Sequence, residues 1–262
     1  MSRYTLITGA SAGLGREFSI QCAGLGMNII MIALPASNTV SLAENLMLEF
    51  GIKIEVFEFD MTDSILLVEK LNYIAENFEI NFLINNAGIG GTVAITESPL
   101  TAIDRILQVN IRSMVLITQI LLPGLLKQDR GYIMNISSMA AFTPIAYKTV
   151  YPASKAFISS FALGLREELS DTCVSVSVVY PGPIMTNSGV SARIMEQGIK
   201  GRMGLLSTSA IAEIALKKTL VGKALIIPGF WNRINHRIMG LLPVETKLKI
   251  VSKAVKKEMA IK

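Results

Sequence analysis

Short runs of apolar, largely β-branched residues recur along the chain at 4–8, 28–33, 54–59, 82–85, 132–136, 174–179 and 225–227. They are too short for helices and lack the alternation of a half-exposed strand, so each is expected to be a strand buried on both faces. The stretches between them have helical length and period, at 13–25, 39–51, 64–78, 100–128, 151–170 and 209–221. Strands alternating with helices predict an α/β fold: a doubly wound, seven-stranded parallel sheet of Rossmann type in three αβα layers, with right-handed crossovers. No repeat or linker divides the chain, so residues 1–262 read as one domain. Two segments stand apart. Residues 182–206 carry glycines and serines with a weak period just after a strand end, the pattern of a substrate flap. Residues from about 229 to 262 form a basic tail.

Composition narrows the function classes. A chain of 262 residues can bury a large core without metals or disulfides. Its formal charge of +5 permits anionic partners, but no basic stripe interleaved with aromatics supports nucleic-acid binding. Cys22 and Cys173 sit in apolar stretches without the spacing of a metal knuckle or redox pair, and are expected to be buried free thiols. His236 is the single histidine and cannot make a metal site alone. The first apolar run is broken at Gly9, too soon for a signal peptide, so a cytoplasmic protein is expected. The longest apolar windows are interrupted by Arg112 and Pro123, or by Pro228, Arg233, His236 and Arg237, and neither is expected to span a membrane.

Directly after the first strand comes Thr8-Gly9-Ala10-Ser11-Ala12-Gly13-Leu14-Gly15, and a helix follows. Glycines at this place permit a tight turn, let backbone N–H groups approach a pyrophosphate, and open a helix whose positive end faces that anion. The second strand should end where the ribose is read, at Ala33-Leu34-Pro35-Ala36-Ser37-Asn38. No acid occurs there to bond the ribose hydroxyls of NAD and repel the phosphate of NADP, and no arginine replaces it. NADP is therefore favoured over NAD on that one ground.

Tyr151 and Lys155 are four residues apart at the start of a helix, which puts both side chains on one face. An ammonium beside a phenol favours phenolate, and the phenol's usual pKa of about 10 must fall for proton transfer near neutrality.

Five motifs in order make the chain resemble the short-chain dehydrogenase/reductase family from Thr8 to about Thr186: the glycine turn, Asp60 in Phe59-Asp60-Met61-Thr62, Asn85-Asn86-Ala87-Gly88, Ser138 ahead of Tyr151-x-x-x-Lys155, and Pro181-Gly182-Pro183-Ile184-Met185-Thr186. The resemblance implies an NAD(P)-dependent oxidoreductase. Gly9, Ser11, Ala12, Gly13, Leu14 and Gly15 would hold the pyrophosphate, Leu34 would lie near the adenosine ribose, and Asp60 with the Met61 backbone would read adenine. Asn86, Ala87 and Gly88 would line the ribose, and Lys155 would hold the nicotinamide ribose hydroxyls. Pro181, Gly182, Ile184 and Thr186 would seat the carboxamide. Tyr151 would be the acid/base and Ser138 would hold the substrate oxygen; Ser137 reads as a strand-end cap. Asn110 would bend the long helix and anchor a water leading to Lys155.

Met185, Met195 and Met203 suggest an apolar pocket, and the resemblance extends to members that reduce oxo groups on acyl chains or similarly greasy substrates. The tail fits a solvated helix capping the fold, or contact with an anionic membrane or an acyl carrier. A homodimer or homotetramer through the 100–128 and 151–170 helices is implied by the family. The alternative is a catalytically idle NAD(P) sensor or scaffold, against which the retention of Ser138, Tyr151 and Lys155 argues. An extended-branch epimerase or dehydratase would need a larger C-terminal domain.

Overall fold

A computed structural model places residues 2–183 and 205–259. Ile184 and Thr186, the three methionines of the expected pocket and most of the expected flap lie outside the described residues.

Seven strands form one wholly parallel sheet: β1 (Arg3–Thr8), β2 (Asn28–Ala33), β3 (Ile54–Glu58), β4 (Glu79–Asn85), β5 (Gly131–Ile136), β6 (Val174–Val179) and β7 (Leu225–Ile226). Their order is β3-β2-β1-β4-β5-β6-β7. The direction of winding reverses between β1 and β4, so the connections leaving their carboxyl ends diverge and open a crevice there. The register pairs Ile7 with Ile84, which sets the turn after Thr8 beside the loop after Asn85.

The missing alternation in the five central strands follows from their burial on both faces; the edge strands β3 and β7 depart from that expectation and are partly exposed. On one face Leu6, Ile30, Leu83, Ile133 and Val176 pack under α3 (Ser64–Asn77), α5 (Ser113–Leu125) and α6 (Val150–Glu168). On the other, Ile7, Ile29, Met31, Ile84 and Met134 pack under α1 (Gly13–Gly24), α2 (Thr39–Phe50) and α7 (Thr208–Leu220). Side chains pointing alternately to two apolar layers must all be apolar, which erases the period of two.

The helix expected over 100–128 is three pieces: α4 (Leu100–Leu107), a π-helical turn at Gln108–Arg112, and α5. Length and apolar composition alone would let the 26 residues Leu100–Leu125 cross a membrane, despite Arg112 and Pro123. Packing gives the apolarity another cause, since Met114, Ile117, Leu121 and Leu125 are buried against the sheet side of the molecule.

The tail forms two helices, α8 (Phe230–Leu241) and α9 (Val244–Met259). Both return to the fold: the His236 ring lies 4.1 Å from that of Phe142, and Ser252 Oγ accepts a hydrogen bond from Ala146 N at 3.2 Å. Capping the fold is thus one thing the tail does. Cys22 is buried and free, with its thiol pushed up to about 12 by desolvation. Cys173 departs from expectation: it precedes β6 and is only half-buried.

Candidate active site

The glycine turn is built by close approach. Gly9 has φ +64°, and a Cβ on Gly15 would stand 1.8 Å from Gly9 O and 2.6 Å from Asn86 Nδ2. Only two residues without side chains allow α1 to start this close to the end of β1. The turn is braced from β4: Asn86 Nδ2 donates to Thr8 O at 2.9 Å and to Gly9 O at 3.3 Å, while Thr8 Oγ1 accepts from the N–H groups of Asn86 and Ala87 at 3.0 Å each. Asn86 therefore points its side chain at the turn.

Across the crevice, Ser138 follows β5, and Tyr151 and Lys155 lie on the first turns of α6. The Ser138 hydroxyl lies close enough to Tyr151 to act on its phenol. Lys155 Nζ lies 5.8 Å from the Tyr151 ring centroid and donates to Ile136 O at 2.9 Å. The three groups expected from distant stretches converge. Gly90 permits this, because a Cβ there would be 2.8 Å from Tyr151 Cδ2.

Electrostatics bears on the expected acid/base pair. Burial raises the Tyr151 phenol above its usual value, and the Ser138 hydroxyl opposes the rise. Lys155, fully enclosed, is pushed down to about 8 by desolvation. Between pH 8 and the ordinary lysine value near 10.5 the unfolded chain therefore holds a proton that the folded protein has shed, so stability must rise with pH across that window. The increment should be on the order of 3 kcal/mol. Denaturant melts of wild type and Lys155→Met across that pH range test it: the difference between their pH slopes carries the increment, and parallel slopes would refute it.

Asn110 sits in the π turn, fully buried, and its side chain clamps one residue from both sides: Nδ2 donates to Ile89 O at 2.9 Å and Oδ1 accepts from Ile89 N at 2.8 Å. Nδ2 also donates to Ser154 Oγ at 2.9 Å, which in turn donates to Tyr151 O at 2.7 Å. One asparagine thus ties the loop after β4 to the helix carrying Tyr151, and a π turn with its widened hydrogen-bond ladder gives it room. Ser137 is no strand-end cap; its Oγ donates to Lys155 O at 2.7 Å and lies 3.0 Å from Ser159 Oγ, fastening α6 to β5.

Residues 3–197 match the family model described as short chain dehydrogenase. The chain belongs to the short chain dehydrogenase family. With membership goes the activity: NAD(P)-dependent hydride transfer between nicotinamide and a carbonyl or alcohol carbon. Among relatives, the chain is 36% identical to an L-xylulose reductase of Caenorhabditis elegans over 70% of its own length and 72% of the relative's. It is 29% identical to a very-long-chain 3-oxoacyl-CoA reductase of Anas platyrhynchos over 71% of its length, spanning 61% of that protein. A short-chain dehydrogenase from Sphingobium yanoikuyae, solved in complex with NADPH, superposes with a TM-score of 0.77 at 25% identity, covering 92% of this chain and 95% of that one.

This short chain dehydrogenase fits a dinucleotide at the crevice. Ala12, the N-cap of α1, supplies no side-chain acceptor, and the first turn holds no acid, so the helix's leading N–H groups are left for an anion. At the end of β2, Leu34 is exposed and Ser37 Oγ is spent on local bonds to Leu34 O and Thr39 Oγ1. Asp60 accepts from Thr62 N at 2.9 Å and pairs with Arg105 at 3.1 Å. Desolvation alone would raise its carboxyl, but the Thr62 hydrogen bonds and the Arg105 charge together hold it below the usual carboxylate range. Met61 is buried next to it. Pro181 O accepts from Met139 N at 3.0 Å, and a Cβ on Gly182 would meet Asn232 Nδ2 at 2.6 Å.

Sequence reading missed several participants. Ser154 and Ile89 complete the Asn110 clamp, and Thr8 serves as a double acceptor. Tyr147 has φ +64° and its carbonyl accepts from Val93 N at 2.7 Å, closing the loops on either side of Tyr151. Only Thr8 had a signal available, its place at the head of the glycine turn.

Proposed function

We propose that this dehydrogenase reduces the oxo group of an apolar or acyl-chain substrate, with Tyr151 donating the proton. The observation carrying this reading is the half-buried Tyr151 with Ser138 beside its phenol and Lys155 Nζ 5.8 Å from its ring. NAD(P)H, when bound, supplies the hydride at nicotinamide C4. The chain supplies the rest. Ser138 Oγ holds the substrate oxygen, the Tyr151 hydroxyl gives that oxygen its proton, and Lys155 holds the nicotinamide ribose and returns a proton toward Tyr151. Asn110 positions the loop after β4 and, through a water, feeds Lys155. Ser11, Ala12, Gly13 and Leu14 present N–H groups to the pyrophosphate; Leu34, Asp60, Met61, Ala87 and Gly88 line the adenosine half; Pro181 and Gly182, followed by Ile184 and Thr186, seat the carboxamide.

An open groove of about 640 Å³ starts at Ala140, two residues after Ser138, and is lined by Phe142, Pro144, Ile145 and Leu248, with Lys253 among its few charges. Its apolar walls support a greasy substrate. The missing acid at the end of β2 favours NADP. Exposed Leu107, Phe157 and Leu163 on the α4–α6 side support pairing of two copies there, and two free cysteines suit the reducing cytoplasm. All 262 residues read as one domain.

The test is oxidation of NADPH and NADH against ketones and 3-oxoacyl thioesters of increasing chain length. Rates should rise with chain length and be higher with NADPH. A flat response would remove the substrate class, and absence of turnover with every carbonyl would remove the catalytic reading.

A further inference from the structure

The charge of the chain is unevenly placed. Residues 230–259 contain seven of its 25 lysines and arginines but two of its 20 acids, which leaves eighteen of each for the rest. The whole formal excess of five positive charges therefore belongs to α8 and α9. Among the described residues, Arg233, Arg237, Lys249, Lys253 and Lys256 form no ion pair.

The same segment exposes apolar surface in an ordered way. On α8, Asn232 and His236 face inward, Asn232 bonding Pro228 O and His236 lying on Phe142. Helical geometry puts Phe230, Trp231, Ile234, Ile238 and Leu241 together within an arc of ~100° on a different side. Of these, Phe230 is 63% exposed, Trp231 51%, Ile238 56% and Leu241 87%. Arg233 and Arg237, one turn apart and both exposed, border that stripe.

Neither property alone identifies a partner, but together they do. A soluble acidic protein would answer the charge and leave an aromatic and aliphatic stripe in water. A second copy of this chain would bring equal positive charge against the stripe. An anionic bilayer answers both, taking the stripe below its headgroups while the bordering guanidinium groups reach lipid phosphates. We propose that α8, with α9 adding charge, is a docking surface for an anionic membrane, on which the enzyme lies peripherally.

Trp231 is the chain's single tryptophan, so its emission reports on this surface alone. The full-length protein should float with vesicles of phosphatidylcholine and phosphatidylglycerol, stay behind with phosphatidylcholine alone, and shift Trp231 emission to the blue on binding. Salt should weaken the partition. Phe230→Ser with Leu241→Ser, and separately Arg233→Glu with Arg237→Glu, should each weaken it about tenfold or more; these exposed positions should leave the thermal melt in place. Polyglutamate serves as the soluble acidic probe. The proposal falls if the protein ignores anionic vesicles, if Trp231 emission is unmoved by them, if the double serine variant binds them as well as wild type, or if polyglutamate reproduces the blue shift.

Discussion

Tyr151→Phe should lower turnover roughly 10²–10⁴-fold, the usual worth of a positioned proton donor. The substitution deletes one hydroxyl and nothing else that the site uses for shape. The ring would still lie flat on Gly90, where even a methyl group has no room. Ser138 would keep the bond it accepts from Ala140 N at 3.1 Å. Lys155 would remain on Ile136 O. Cofactor affinity, followed by nicotinamide fluorescence, should therefore change little while single-turnover reduction collapses. If turnover persisted at the wild-type rate, the proton would have to come from elsewhere and the assignment of roles would fail.

Gly15→Ala should strike binding and stability together. The added methyl would stand 1.8 Å from Gly9 O, a backbone atom, and 2.6 Å from Asn86 Nδ2. Neither can retreat without consequence. Gly9 N is bonded to Ile32 O at 2.8 Å, and Asn86 is the brace between the turn and β4. Relief requires α1 to move away from β1, which carries the leading N–H groups of the helix out of position. Overpacking of this kind costs roughly 1–3 kcal/mol or more in stability. Loss of one charge-assisted bond to a pyrophosphate, worth roughly 1.5–3 kcal/mol, would weaken dinucleotide affinity about tenfold or more. Calorimetric titration with NADP together with a denaturant melt reads both effects. A variant with unaltered affinity would show that the turn does not hold the phosphates.

Sequence reading came close on the elements and their type because periodicity and chemistry agree locally. A parallel strand buried on both faces needs an apolar run, and the five central strands could be read from that need; β3, at the sheet edge, carries Glu55 and Glu58 and is only partly buried. The long helix shows the limit of that locality: the family resemblance placed a bend at Asn110, but that the bend is a π turn at Gln108–Arg112 whose asparagine clamps Ile89, 21 positions away, is a tertiary fact.

By itself the sequence determined the sheet, the glycine turn, and the presence of a phenol, an ammonium and a hydroxyl in family order, since each of these is a matter of residue type and short spacing. The tertiary structure alone decided how those groups behave. Desolvation depends on everything packed around a site, so only the fold could show that burial raises the Tyr151 pKa and lowers that of Lys155. Direction is likewise a property of packing: Ser137 and Asn86 turned out to be braces once their neighbours were known, and the apolar residues of α8 face outward because Asn232 and His236 claim the inner side.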